Sequence, residues 1–236
     1  MTGNHARYVA GVAVLQALLI AGCNQSAPVP PQAKAVKSPD AVAKAARPEG
    51  EERLILAFGD SLYSGYRLGR GEGLPDQVQD RLRAAGINAS VVNAGVSGDT
   101  TAAARQRLVF ALDNLPRTPD LVILGFGGND VLRQLAPAET RANLVAMLDV
   151  LKGRSIPVLL TGMRAPPNLG PDYVSRFDAI YPELAAKYDA QLDPFVLDGV
   201  IGNPALMLPD RVHPNARGVA IMADRVARLA ARRFDG

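Results

Sequence analysis

From Arg53 to the C-terminus, short apolar runs alternate with stretches whose apolar positions recur every three or four residues. Leu54-Ile55-Leu56-Ala57-Phe58 is the first run, closed by Gly59, and it reads as a buried strand. Ala89-Ser90-Val91-Val92-Asn93, the segments Asp120–Phe126 and Pro157–Thr161, and a short run near Gln191–Phe195 supply four more. Between them the spacing predicts helices. One begins at Pro75, shows Val78, Leu82 and Ala85 on one face, and stops at Gly86. A second is capped by Thr100 or Thr101 and runs through Leu112, and a third spans about Ala138 to Lys152 with Gly153 as its stop. A fourth follows Tyr173 and breaks at Pro182, and a last one covers about Ala216 to Phe234. Strands this short and this apolar, each followed by a helix, imply a parallel sheet covered on both faces, hence an α/β domain over 53–236. No internal repeat and no second domain is visible.

The pattern changes before Arg53. Tyr8 to Gly22 is apolar apart from Gln16, follows Arg7 and the initiator amine, and ends in Ile20-Ala21-Gly22-Cys23. Fifteen residues are too few to span a bilayer comfortably, so 1–23 reads as a signal peptide rather than a transmembrane helix. Asn24 to Glu52 is rich in Pro, Ala, Lys and Gln without apolar periodicity, and is expected to be a disordered tether over 24–52. Cys23 is the sole cysteine of the chain, which rules out an intrachain disulfide. The segment ending at Cys23 resembles the lipobox of bacterial lipoproteins. That resemblance implies a lipidated Cys23 as mature N-terminus and an exported, membrane-anchored protein facing the periplasm or the cell exterior. An ordinary secretory signal, leaving a soluble periplasmic protein, is the alternative.

Composition narrows the function. The 236 residues are 48% hydrophobic, enough for one sizeable core. The formal charge is +3, with bases and acids interspersed and no Lys/Arg block, so no nucleic-acid partner is expected. Of two histidines, His5 lies in the segment expected to be removed, leaving His213 for general-base work near neutral pH.

His213 sits in a polar loop three residues after Asp210. That spacing lets the carboxylate accept from Nδ1–H and leaves Nε2 to take a proton. Ser61 lies just past the end of the first strand, where open α/β sheets place their ligand crevice. Alone, Asp60 and Ser61 are equally consistent with a turn that caps the next helix. Paired with Asp210-x-x-His213, Ser61 suggests a Ser–His–Asp triad. Gly95 and Asn129 close the second and third strands and belong on the same sheet edge. With the Ser61 N–H, the Gly95 backbone and the Asn129 amide form a candidate three-donor oxyanion hole.

Gly59-Asp60-Ser61-Leu62, Gly95, Gly128-Asn129-Asp130 and Asp210-x-x-His213 resemble, in order, the four blocks of the SGNH (GDSL) hydrolase family. Within it the chain is similar to the bacterial TesA-type thioesterase/arylesterase/lysophospholipase group. The shared stretches are Ser64-Gly65-Tyr66-Arg67, Val91-Val92-Asn93-Ala94, Ser97-Gly98-Asp99-Thr100, Leu132-Arg133 and His213-Pro214-Asn215. The resemblance implies a three-layer α/β/α sandwich with a flavodoxin-like, five-stranded parallel sheet. It implies Ser61 as nucleophile, His213 as base, Asp210 as its orienter, and Ser61, Gly95 and Asn129 as oxyanion donors, with Asp60 structural. No cofactor and no metal is implied. The substrate would be a small acyl ester or thioester, with a lysophospholipid, an aryl ester and an acetylated glycan all left open. Two stretches depart from the group: Asp210-Arg211-Val212 replaces the usual Asp-Gly-Ile, and Met163–Gly170 has its own order around Ala165 and Pro167.

Rival readings are weaker on the residues. An α/β-hydrolase elbow needs G-x-S-x-G, and Tyr63 occupies its last position. A two-metal phosphoesterase wants several histidines. A non-catalytic binding lipoprotein on the same crevice should lack a catalytic group, and none is missing. Tyr63, Tyr66, Leu68, Leu132, Leu135 and Leu169 border the crevice, either lining an acyl pocket or packing at the edge of the core. Arg225, Arg228 and Arg232 recur at helical spacing, as a solvated face or, less favoured, an anionic-membrane contact.

Overall fold

The computed structural model describes residues 47–234. The expected signal segment, Cys23 and the tether as far as residue 46 lie outside the described residues. The elements run β1 (Arg53–Gly59), α1 (Ser61–Ser64), α2 (Leu74–Ala84), β2 (Ala89–Asn93), α3 (Thr101–Asp113), β3 (Leu121–Gly125), α4 (Gly128–Leu132) and α5 (Pro137–Gly153). They continue with β4 (Val158–Thr161), α6 (Pro171–Asp178), α7 (Ile180–Tyr188), β5 (Gln191–Asp193) and α8 (Ala216–Ala231), and short 3₁₀ turns cover Pro167–Leu169 and Pro204–Leu206.

All five strands pair in parallel, in the order β2-β1-β3-β4-β5. This is the flavodoxin-like order, in which the chain reverses direction of growth between β1 and β3 and opens a crevice at their carboxyl ends. Period-two alternation along β1 divides the core. Ile55 and Ala57 face a cluster with Leu74, Val78 and Leu82 of α2 and Val219, Met222 and Val226 of α8. Leu56 and Phe58 face Ala104 and Leu108 of α3, Leu144 and Met147 of α5, and Phe177 and Tyr181 of α6 and α7. The result is the three-layer α/β/α sandwich.

Boundaries follow the caps. Thr100 caps α3 through the Ala103 N–H, and Asn215 caps α8 by accepting from the Arg217 and Gly218 N–H groups. The expected break at Pro182 falls earlier, at Ala179, which separates α6 from α7. Pro182 sits in the first turn of α7, where its missing N–H has no intrahelical acceptor in any case. Residues 47–52, assigned to the tether from composition, are held on the domain: Asn88 Oδ1 accepts from Arg47 Nε at 2.8 Å and Asn88 Nδ2 donates to the Gly50 carbonyl at 2.7 Å.

Arg225 departs from the solvated face expected of it. Its Nε lies 2.9 Å from Asp193 Oδ2, and its Nη2 donates to the Phe195 and Val196 carbonyls at 2.9 and 2.7 Å. The Asp193 side chain is 1% exposed, so burial of a carboxylate at the end of β5 required a cation, and helical spacing alone could not show that. Arg228 and Arg232 are exposed. Removing one member of such a buried pair strands the other. Arg225→Leu should therefore destabilise the domain by about 3 kcal/mol, against about 0.5 kcal/mol or less for Arg228→Leu. Urea denaturation of the two variants and the parent checks this.

Candidate active site

Gly59 ends β1 and Asp60 caps the single turn of α1, its Oδ1 accepting from the Leu62 N–H at 3.1 Å. Ser61 is therefore the first residue of that turn, and its own N–H has no hydrogen-bond partner among the described residues. Tyr63 fixes the turn to the sheet. Its ring is 1% exposed and its hydroxyl pairs with Thr161 Oγ1 at 2.7 Å. Asn93 Nδ2 donates to the Tyr63 carbonyl at 3.0 Å, and the Val96 N–H to the Gly59 carbonyl at 3.0 Å, tying the ends of β2 and β1 together.

His213 arrives on the loop between β5 and α8. That loop is closed by the antiparallel bridge Met207–Pro214 and by the Leu208 N–H donating to the His213 carbonyl at 2.7 Å. Arg211 takes φ +58°, a left-handed conformation that folds the segment back on itself. Asp210 Oδ1 accepts from the Val212 and His213 N–H groups, both at 3.0 Å, while Oδ2 lies 2.9 Å from His213 Nδ1. The second ring nitrogen, Nε2, lies 2.9 Å from Ser61 Oγ. The His213 N–H is the main influence lowering the Asp210 pKa to about 2, with the Val212 N–H and the imidazole assisting against partial desolvation. Asp210 is thus ionised at any working pH, with both oxygens committed. Tyr66 packs on the imidazole with ring centroids 4.4 Å apart, and the Arg67 guanidinium lies 5.2 Å from the Tyr66 ring.

Asn129, in the first turn of α4, donates from Nδ2 to the Asp99 carbonyl at 3.0 Å; the same nitrogen is 3.5 Å from Asp60 Oδ2, too far to hold its second hydrogen firmly. Burial pushes the Asp60 pKa up to about 7, with Asp130 and Asp99 adding repulsion and the Leu62 N–H opposing. Asp130 itself is held by the Thr101 N–H at 2.9 Å and by the Thr140 hydroxyl at 3.1 Å.

Gly95 does not present its N–H as expected. That N–H donates to Asn93 Oδ1 at 2.8 Å, and a Cβ there would lie 2.3 Å from the Ser64 nitrogen. The absent side chain makes room for α1, not for a substrate. Of the two glycines in this loop, the one whose N–H is without a partner among the described residues is Gly98, at φ +86° in the exposed turn just before Asp99. Its carbonyl accepts from Arg133 Nη2 at 2.9 Å, which steadies the turn. Both glycines lie in one short stretch, and the sequence signal that favours Gly98 is its place immediately before the Asp99-Thr100 helix start.

Of the residues expected at the rim, Tyr63 is core. Tyr66 stands on His213. Leu68 packs partly against the α2/α8 cluster and Leu169 against the α3/α5 cluster, and Leu135 is half-buried. Leu132 is 60% exposed and, with Val96 and Val212, leaves apolar surface on the loops that carry the site. A hollow lined by Pro137, Arg141, Val145, Ser175 and Glu183 lies between helices and borders none of these residues. Among the described residues no group of three or more His, Cys, Asp or Glu side chains is placed to hold a metal ion.

A hydroxyl, an imidazole and a carboxylate in series at the carboxyl edge of a doubly wound sheet form the constellation of a serine hydrolase. Residues 57–221 match the model of the GDSL-like lipase/acylhydrolase family, and the chain belongs to that family. It is 38% identical to an arylesterase of Vibrio mimicus over 173 residues, 73% of this chain and 86% of the relative. It is 39% identical to the esterase TesA of Pseudomonas aeruginosa over 160 residues, 68% and 79% of the two chains. The solved structure of AlinE4, an SGNH-hydrolase family esterase, superposes with a TM-score of 0.67 at 53% identity, covering 80% of this chain and all of that one.

The two glycines separate experimentally. A Cβ at Gly95 meets backbone, whereas at Gly98 the nearest atom is an arginine Nη at 3.9 Å. Gly95→Ala should lower stability by about 3 kcal/mol, the upper end of overpacking costs, because the Cβ meets backbone that cannot swing aside. Gly98→Ala meets only the left-handed backbone penalty of about 1–2 kcal/mol. Thermal melts of both variants give the ordering.

Proposed function

We propose that the protein hydrolyses carboxylic esters or thioesters through an acyl-enzyme on Ser61. The observation that carries this reading is the unbroken series Ser61 Oγ–His213 Nε2–His213 Nδ1–Asp210 Oδ2, each polar contact at 2.9 Å. Ser61 Oγ attacks the carbonyl carbon as its proton passes to Nε2, and the ionised Asp210 stabilises the imidazolium. The carbonyl electrons collapse back, the bond to the leaving oxygen or sulfur breaks, and that atom takes the proton from Nε2. Water then attacks the acyl carbon, gives its proton to Nε2, and the acid leaves as the Ser61 oxygen is reprotonated. The oxyanion is met by the Ser61 N–H, the Asn129 amide and, in place of Gly95, the Gly98 N–H. Each such donor contributes about 10²–10³ in rate. The named relatives, an arylesterase and an esterase, and the exposed apolar side chains of Val96, Leu132 and Val212 on the segments that also carry Gly98, Asn129 and His213 support an acyl ester or thioester over a polar acetylated glycan.

With a short p-nitrophenyl ester, Ser61→Ala or His213→Ala should each lower kcat by about 10³–10⁶, and the double variant little further, because the pair acts as a unit. Asp210→Asn should lower it by about 10⁴ by admitting the wrong tautomer. A folded Ser61→Ala variant retaining the parent rate would exclude the acyl-enzyme.

We further propose that Cys23 carries a lipid anchor that holds the domain, through the stretch before Arg53, at a membrane outside the cytoplasm. The support is the apolar stretch ending at a sole cysteine. Cells fed a fatty-acid analogue should label the parent chain and not Cys23→Ser; equal labelling, or none, removes the anchor.

A further inference from the structure

Arg107 lies on α3, on a part of the chain that the proposed mechanism does not use, yet its side chain reaches the loops that carry the site. Nε donates to Asp99 Oδ2 at 2.6 Å, Nη1 to the Ala94 carbonyl at 2.8 Å, and Nη2 to the Gly59 carbonyl at 2.9 Å. Its central carbon is 4.2 Å from the centroid of the Phe58 ring, which is fully buried. All three guanidinium nitrogens thus donate, and a cation–π contact fixes its plane.

The three acceptors lie on two loops of the site, one beside Ser61 and one carrying Gly98. The Gly59 carbonyl is two residues before Ser61 and also receives the Val96 N–H. The Ala94 carbonyl opens the loop that carries Gly98. Asp99 closes that loop, and its own carbonyl accepts from Asn129 Nδ2 at 3.0 Å. We propose that Arg107 is the positioning residue of this site, one guanidinium setting the distance between the Ser61 turn and the donors at Gly98 and Asn129. The proposal rests on the ester-hydrolase reading above and names what holds that site in register.

An arginine that only stabilised α3 would need the Asp99 ion pair alone. Here two of three acceptors are backbone carbonyls at the ends of β1 and β2, and a carbonyl cannot be neutralised, only aimed. The arrangement also explains why a cation sits beside the site without touching its serine. Gly59 lies two residues before Ser61, and Asp99 directly follows Gly98 and holds Asn129 Nδ2 through its carbonyl. If the fork is lost, the two loops are still present but free to drift. A displacement of about 1 Å at that distance is worth on the order of 10² in rate while leaving ground-state binding nearly unchanged.

Lysine keeps the charge but offers a single point that cannot span a carboxylate and two carbonyls at once. The test measures kcat and KM for p-nitrophenyl acetate on the full chain, well below the melting temperature of each variant. Arg107→Ala should lose about 10–100-fold in kcat with KM little changed. Arg107→Lys should stay close to Arg107→Ala. Added guanidinium ion should restore part of the Arg107→Ala rate, and sodium at the same ionic strength should not. A folded Arg107→Ala or Arg107→Lys variant at the parent kcat overturns the proposal, as does a loss that appears entirely in KM. If neither variant melts cooperatively, Asp99→Asn keeps the shape and removes the charge that aims Nε; a lowered kcat at constant KM supports the proposal and an unchanged kcat overturns it. The parent chain tests the ester-hydrolase activity itself. Failure of the parent chain to hydrolyse the ester or to take a fluorophosphonate on Ser61 removes the function itself, whereas an active, labelled parent beside an equally active Arg107→Ala removes only this role.

Discussion

The Tyr63 ring occupies a slot that three glycines leave open at the carboxyl edge of the sheet. A Cβ on Gly59 would lie 2.1 Å from Tyr63 Cδ2, one on Gly125 would lie 2.3 Å from its hydroxyl oxygen, and one on Gly95 would lie 2.7 Å from its Cβ. Gly59 and Gly125 are register partners on β1 and β3, so the two central strands end level and both lack a side chain on that side. The ring fills the space they leave, and its hydroxyl finds Thr161 on β4. Burying a phenol without a partner would be costly; with Thr161 it becomes a pin across three strands. The serine two residues earlier cannot move without moving that pin.

Once α1 is fixed, the remaining parts need only arrive at one edge. The parallel order guarantees this for the loops after β1, β2 and β3. His213 follows β5, at the far side of the sheet order, and has further to come. Its loop is brought back because α8 packs beside α2 on the same face as Ile55 and Ala57. Arg81 of α2 pairs with Asp224 of α8 and donates from Nη2 to the Ala220 carbonyl at 3.1 Å. Asn215 then caps α8 and returns the chain, its N–H donating to the Leu206 carbonyl at 2.9 Å. A helix–helix contact remote from the chemistry thereby helps bring the His213 loop back to the sheet edge, where Asp210 orients the imidazole.

Much of this was legible in the residues. The apolar runs of β1 to β4 and the capped helices are local signals, and the structure ends them within a few residues of the patterns. The sheet edge followed from topology, so Ser61, Asn129 and the Asp210–His213 pair could be expected together. The misses concern direction rather than position. Gly95 and Gly98 share one loop, and it is the Asn93 side chain, by taking the Gly95 N–H, that decides which is left unpaired. Tyr63 reads as a rim aromatic until the glycines opposite it are seen as a slot. Arg225 and Arg107 are single cations on helices, and nothing in their spacing tells that one meets a buried carboxylate and the other the strand ends. Long-range partners of this kind are properties of the packed layers.

The packing also separates two carboxyl groups that are close neighbours of the same hydroxyl in sequence or space. Asp210 gathers two N–H groups and an imidazole, and its pKa falls to about 2; Asp60 is buried with one N–H at 3.1 Å, and its pKa rises to about 7. Environments that push paired acids apart assign them different work. A charged Asp210 favours the imidazolium that forms as the serine gives up its proton. Asp60, with its pKa raised to about 7, carries only part of a negative charge at neutral pH, and at 3.5 Å it competes only weakly for the Asn129 amide. The same burial that seats Tyr63 thus weakens the acid beside the nucleophile, and fold stability and site electrostatics have one cause.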